Sequence, residues 1–315
     1  MKLVILDGNA LNPGDLSWDS FKKYADITVF PRTSKDDVVA RIGDSDAVLL
    51  NKIHITRKIL SECKNVRYIG LLSTGYDFVD IGAAREAGVC VTNIPAYSTM
   101  AVAQHVFSLL LYFSNSVAQH NSSVQEKRWM KNPDFCYWET PLFELYGKTL
   151  GIFGYGNIGR QVEKIAHAFG MNVIVCPHHP SSEIHNCVSF NELLQKSDML
   201  TLHAPMTKET EKIINAASIA KMKDGAYIIN TARGGLVNET DMRACLESGK
   251  IAGYACDVLE TEPMTTDCPL FQAPNCIITP HIAWSPFETR QRLMQIAFEN
   301  FEGWVMGNLK KNMLT

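Results

Sequence analysis

The sequence predicts an α/β protein made of two doubly wound parallel-sheet domains, and three observations carry that prediction. Short apolar runs alternate with helical patterns over residues 1–92, the alternation pauses, and it resumes from Gly147. A glycine fingerprint stands at the first strand–helix junction of the second series.

In the first series, Leu3–Leu6, Ile27–Phe30, Ala47–Leu50, Tyr68–Leu71 and Val89–Thr92 read as strands. Each is a short, nearly continuous apolar run, the pattern of a strand covered on both faces. Helices fit near 16–24, 34–43, 56–62 and 79–87, and Gly88 stands where a helix C-cap is wanted. One long helical pattern follows from about Thr99 to Gln125, with Val102, Val106, Leu109, Leu110 and Phe113 at helical spacing. The Pro- and aromatic-bearing segment Asn132–Pro141 reads as a loop. In the second series the strands are Leu150–Phe153, Asn172–Cys176, Met199–His203, Ala226–Asn230, Ile251–Asp257 and Cys276–Thr279. Six is the number that two mononucleotide-binding halves require. Helices fit near 157–169, 189–196, 215–221 and 239–248, and a last amphipathic pattern runs over about Pro286–Met306.

The fingerprint is Gly154-Tyr-Gly156-Asn157-Ile158-Gly159, the G-x-G-x-x-G spacing that cradles a dinucleotide pyrophosphate. Gly154 permits the turn, Gly156 lets the backbone approach the phosphates, and Gly159 lets the helix pack on the strand. The helix N-terminus then offers free N–H groups and its positive dipole end to the anion. The apolar run Leu150–Phe153 before it, and Ile158, Val162, Ile165, Ala166 and Phe169 after it, supply the strand and helix that the motif needs.

Composition narrows the partners. Of 315 residues 46% are apolar and 20% charged, ordinary for a globular protein, and the length suggests about two domains. The formal charge is −3 with no basic block, so neither nucleic acid nor an anionic membrane is expected as a partner. The N-terminal apolar run is too short for a signal peptide, and no run approaches the length of a transmembrane helix. Nine cysteines without a C-x-x-C pair fit free thiols in a reducing cytoplasm. Cys176, His178, His179, His185 and Cys187 are zinc-ligand types close together, but their spacing matches no zinc pattern, so a strand end with a solvated loop is read there and no metal is expected.

Ligands of an open parallel sheet sit at the carboxyl ends of its strands. Arg233, Glu262 and His281 all fall just after late strands of the second series. An arginine fork holds a carboxylate and polarises a carbonyl. A histidine passes a proton to or from an oxygen, and a carboxylate beside it fixes the tautomer and favours the charged form. With a dinucleotide supplying hydride, the set suits reduction of a carbonyl.

Gly154-Tyr-Gly-Asn-Ile-Gly-Arg160, Asn230-Thr-Ala-Arg-Gly-Gly-Leu-Val-Asn-Glu239, Asp257-Val-Leu-Glu-Thr-Glu-Pro263 and Thr279-Pro-His-Ile-Ala-Trp284 resemble the motif series of the D-isomer-specific 2-hydroxyacid dehydrogenases. Ser73-Thr-Gly-Tyr-Asp-Phe-Val-Asp80 and Leu202-His-Ala-Pro205 extend the resemblance over nearly the whole chain. Within the family it is closest to the glycerate dehydrogenases, also called hydroxypyruvate reductases, through Asn93–Ser98, Pro133–Trp138 and His281–Ser285.

The resemblance implies a flavodoxin-like substrate domain, residues 1–99 with 285–315, a Rossmann cofactor domain, residues 100–284, and an active site in the cleft. It implies reversible, NAD- or NADP-dependent reduction of a small 2-oxo acid to a D-2-hydroxy acid, hydroxypyruvate or glyoxylate first, with D-lactate or other 2-hydroxyacid dehydrogenation as the alternative. A non-catalytic dinucleotide-sensing regulator is the alternative from another class. Arg233 would bind substrate, Glu262 would partner His281, and His281 would be the acid/base. Gly154, Gly156, Asn157, Ile158, Gly159, His203, Ala204, Pro205, Thr231, Ala232 and Asp257 would contact the cofactor, Asp257 at the nicotinamide amide. The backbone of Ser73, Thr74 and Gly75 would form an anion nest for the substrate carboxylate, with Trp284 and Trp138 walling the pocket. A cytoplasmic homodimer, joined through the cofactor domain and the Gln125–Leu145 region, is also implied. A form lacking the regulatory C-terminal domain of long phosphoglycerate dehydrogenases and the N-terminal extension of formate dehydrogenases is expected.

Two positions depart from the family pattern. Pro177 stands where an acid usually binds the adenosine ribose, and the next carboxylate, Glu183, lies further along the loop. The charge repulsion that rejects NADP is therefore missing, and His178 or His179, when protonated, would contact a 2′-phosphate; Arg160 serves the pyrophosphate instead. NAD remains the preferred expectation. Gln104 replaces a glutamate common on the linking helix, with no assigned consequence.

Overall fold

Strands in the middle of a parallel sheet bury both faces, and Ala47–Leu50, Tyr68–Leu71 and Met199–Leu202 of this protein are buried at every position, while the edge strands are partly exposed. The computed structural model describes residues 1–177 and 184–315. The chain divides into two units, Met1–Ser98 with Ser285–Thr315, and Thr99–Trp284.

The first unit holds β1 (Lys2–Ile5), β2 (Asp26–Val29), β3 (Ala47–Leu50), β4 (Tyr68–Leu71) and β5 (Cys90–Thr92), in the order β2-β1-β3-β4-β5, every pair parallel. That is the flavodoxin-like order. The helix Phe287–Val305 returns to cover this sheet, where Trp304 stacks on the fully buried Tyr68 with ring centroids 5.0 Å apart. Near its start, Arg290 grips Asp15 with both terminal nitrogens, at 2.7 and 2.6 Å. The chain then pairs with the sheet edge, Leu314 N–H donating to the Val91 carbonyl.

The second unit holds β6 (Thr149–Phe153), β7 (Asn172–Cys176), β8 (Met199–Leu202), β9 (Ala226–Asn230), β10 (Ile251–Cys256) and β11 (Cys276–Ile278). Their order is β11-β10-β9-β8-β6-β7, again all parallel. A Rossmann sheet carries one more strand outside its second. Among the described residues that strand is reduced to one parallel bridge, Val175 with Cys187, secured by Val175 N–H to Asn186 and Val188 N–H to Val175. One face of the sheet packs against Leu193, Leu236 and Met242, the other against Val106, Leu110, Val162 and Ala166.

Two helical expectations change. The pattern from Thr99 to Gln125 is two helices, Thr99–Asn115 and Val117–Gln125, because Ser116 takes a left-handed backbone (φ +46°) between them. After the break the apolar stripe is gone, and Val117 faces solvent. The helix expected near 16–24 is a four-residue helix, Gly8–Leu11, and a 3₁₀ turn, Asp19–Lys23, separated by the breaker pair Pro13-Gly14. Other helices start at side-chain caps, Ser189 with Glu192 and Asn215 with Ser218 each closing a capping box.

Candidate active site

The chain runs from β6 out to β7 and back to β8 on the other side of β6, so a crevice opens at the carboxyl ends of β6 and β8. Gly154 sits there with φ +91°, a conformation few side chains tolerate. A Cβ on it would lie 2.4 Å from the Ala204 nitrogen, so only glycine lets the β6 turn meet the β8 turn. Gly159 is as tight, its Cβ position 2.5 Å from the Gly154 oxygen, whereas the Cβ position of Gly156 is open space. The helix Asn157–Ala168 begins at this turn with no side-chain cap.

Two buried polar atoms beside this crevice have no hydrogen-bond partner among the described residues: His203 Nδ1 after β8 and Thr231 Oγ1 after β9. Leaving such atoms unpaired costs stability, and a ligand rich in polar groups would satisfy them. The other ring nitrogen of His203 meets Thr201 Oγ1 at 2.9 Å, and burial holds its pKa down at about 3. The open Gly156, the uncapped helix and these two atoms fit a dinucleotide. Arg160 rests its guanidinium 4.9 Å from the centre of the Tyr155 ring, whose hydroxyl donates to Glu163. His178, expected at the ribose end, and His179 and Glu183 lie outside the described residues, which resume at Ile184.

Arg233, Glu262 and His281 follow β9, β10 and β11, three neighbouring strands. Asn230, fully buried at the end of β9, bends the first loop: its amide donates to the Arg233 carbonyl (2.9 Å) and its oxygen accepts from Ala232 N–H (3.0 Å). Arg233 is extended, and one guanidinium nitrogen donates to the Ala232 carbonyl at 2.7 Å. The next residue, Gly234, lies against the Leu259–Glu260 peptide of the second loop. That loop is tied from below by the buried Glu239, whose carboxylate accepts Glu260 N–H at 2.8 Å. It folds back on Glu262, which accepts Leu259 N–H at 3.0 Å with one oxygen. With the other oxygen Glu262 meets His281 Nδ1 at 2.7 Å. The carboxylate thus fixes Nδ1 as a donor and leaves Nε2 for proton exchange.

His281 has a left-handed backbone (φ +54°), and Asp257 holds the chain just beyond it. The Asp257 carboxylate, 1% exposed, accepts Thr279 Oγ1 (2.6 Å) and the Ile282 and Ala283 N–H groups (2.8 Å each). Three of its acceptor positions are spent inside the protein, leaving room for one further donor. Trp284 follows, half-buried, while Trp138 is 66% exposed. Sequence reasoning named Asp257 but assigned no role to Asn230, Gly234, Glu239 or Thr279. Only the Gly234-Gly235 doublet carried a local signal.

In the first unit, the turn after β4 is tied by its own oxygens and side chains. Ser73 Oγ donates to the Gly75 carbonyl, Thr74 Oγ1 to the Ile94 carbonyl, and Asn93 to the Thr74 carbonyl, at 2.7–2.8 Å. The backbone N–H groups of Ser73, Thr74 and Gly75 donate to no atom among the described residues.

Residues 107–283 match the family described as D-isomer specific 2-hydroxyacid dehydrogenase, NAD binding domain. The hydroxypyruvate reductase of Blautia hydrogenotrophica is 47% identical over 315 residues, 98% of each chain. The glycerate dehydrogenase of Methylorubrum extorquens is 33% identical over 308 residues, 97% of this chain and 96% of that one. Among solved structures, an acyclic imino acid reductase (Bsp5) in complex with NADPH and D-Arg superposes with a TM-score of 0.87 at 29% identity over the full length of both chains.

Proposed function

Because the chain belongs to the D-isomer-specific 2-hydroxyacid dehydrogenase family, we propose that it reduces hydroxypyruvate to D-glycerate, with glyoxylate as a second substrate. The observation that carries this reading is the His281–Glu262 pair at 2.7 Å, with Glu262 on a loop packed directly against the one that presents Arg233.

Gly154, Gly156, Asn157, Ile158 and Gly159 would hold the pyrophosphate, and His203, Ala204, Pro205, Thr231, Ala232 and Asp257 the remainder of a nicotinamide dinucleotide. That group, when bound, supplies a hydride to the substrate's C2. Arg233 grips the carboxylate and polarises the carbonyl oxygen. His281 gives its Nε2 proton to that oxygen as negative charge develops. Glu262 keeps the ring oriented and stabilises the imidazolium before transfer. After product leaves, solvent returns the proton to His281.

NAD is the proposed cofactor, with NADP accepted to a degree set by Pro177. The Gln125–Leu145 region exposes Met130, Phe135 and Trp138 at 81%, 89% and 66%, and such apolar side chains mark a protein-binding surface. We assign it to a homodimer contact. All nine cysteines are free, which suits the cytoplasm, and no described helix is long and apolar enough to cross a membrane.

The test is steady-state oxidation of NADH and of NADPH with hydroxypyruvate, glyoxylate, pyruvate and 2-oxoisocaproate. Hydroxypyruvate with NADH should give the highest kcat/KM. No turnover with any of the four, despite measurable dinucleotide binding, would overturn the reading.

A further inference from the structure

A hydrogen-bonded chain joins the helix Thr99–Asn115 to the turn that carries His281. The Asp257 carboxylate only accepts, so the Thr279 hydroxyl, 2.6 Å from Asp257 Oδ1, spends its single hydrogen there. The same hydroxyl oxygen stands 3.0 Å from His105 Nε2 and must accept from it. His105 therefore carries a hydrogen on Nε2, and the direction of the chain is fixed: His105 to Thr279 to Asp257. Asp257 in turn takes Ile282 and Ala283 N–H, the two groups just beyond His281. On the near side, His281 N–H donates to the Thr279 carbonyl at 2.9 Å. His105 is 17% exposed and Asp257 1%, so water competes poorly for these bonds.

We infer that His105 and Thr279 are positioning residues, which hold Asp257 and through it the left-handed His281 turn that aims the imidazole. A non-glycine residue with positive φ persists only where its surroundings over-determine it, and here Thr279 and Asp257 are those surroundings. Thr279 binds the turn from both sides, by its carbonyl to His281 and by its hydroxyl to the Asp257 clamp. His105 orients that hydroxyl from a helix remote in sequence. The inference rests on His281 being the proton donor of the proposed reaction.

The test compares His105→Leu and Thr279→Val with the donor-keeping variants His105→Gln and Thr279→Ser. For the first pair, kcat should fall about 10- to 100-fold, the cost of a misplaced catalytic group. The second pair should recover most of that loss. The double variant His105→Leu/Thr279→Val should be no slower than the worse single one, since both break one chain. Proton NMR reads the turn without turnover: the low-field Nδ1–H resonance of His281 should shift or broaden in His105→Leu and return in His105→Gln. Wild-type kcat in His105→Leu, additive losses in the double variant, or an unmoved His281 resonance would each overturn the inference. If the wild type turns over no 2-oxo acid, the functional reading fails, and the resonance alone decides whether His105 holds the turn.

Discussion

Gly234 and Leu259 meet backbone to backbone: a Cβ added to Gly234 would stand 1.9 Å from the Leu259 carbonyl carbon and 2.1 Å from its oxygen. This contact sets the arginine loop against the glutamate loop. Gly234→Ala must push the two apart, and neither neighbour is a flexible side-chain end. Overpacking of this kind costs about 1–3 kcal/mol. The expected result is a lower Tm together with a fall in kcat/KM of more than about tenfold, from misplacement of Arg233 relative to Glu262. Wild-type activity in a folded Gly234→Ala would show that the loops need not be in register.

The His281–Glu262 pair makes a graded prediction. His281→Ala should lose about 10²- to 10⁴-fold in kcat, the range for general acid–base groups, with dinucleotide binding kept in fluorescence titration. Glu262→Gln keeps the shape and removes the charge. It should lose less, about tenfold or more, because the imidazole remains while its orienting carboxylate is gone. Equal and small losses in both would remove the pair from the reaction.

Much of this arrangement is legible in the sequence, for a physical reason. Strands of a covered parallel sheet are rich in apolar residues, so β1 through β11 all fall within a residue or two of the apolar runs that mark them. The rule that ligands gather at strand ends then singles out Arg233, Glu262 and His281. What escapes has no periodicity or lies far apart in the chain. Cys187 makes a single bridge, too short to show a pattern. Ser116 breaks a helix in a stretch where nothing but polarity changes. His105 and Thr279 are 174 positions apart, and no local rule joins them.

His203 predicts a pH dependence of stability in the dinucleotide-free protein. Its pKa is about 3 when folded, and that of an unfolded histidine is about 6.5. Between those values the unfolded chain binds the extra proton, so the folded state loses stability as pH falls below about 6.5. Down to pH 5 the loss from this residue is at most about 2 kcal/mol. In urea titrations at pH 7.5 and 5, His203→Gln should show a smaller drop than wild type. An identical drop in both would assign the acid sensitivity elsewhere.

The exposed apolar side chains of the Gln125–Leu145 region predict an oligomeric state. Light scattering should give a dimer for the wild type. Met130→Glu/Phe135→Glu places charges where apolar side chains are 81% and 89% exposed, so a folded monomer is expected. A wild-type monomer, or a dimer untouched by the double substitution, would move the contact to another face.

The return of residues 285–315 to the first unit sets an order of completion during synthesis. The strands β1–β5 leave the ribosome before the second unit, yet the helix that covers Tyr68 and the segment that pairs with Val91 are made after it. The second unit, continuous from Thr99 to Trp284, has its whole core available earlier. The first sheet therefore waits for the helix that covers it, and a nascent chain halted near residue 285 would carry a finished second unit and an open first one.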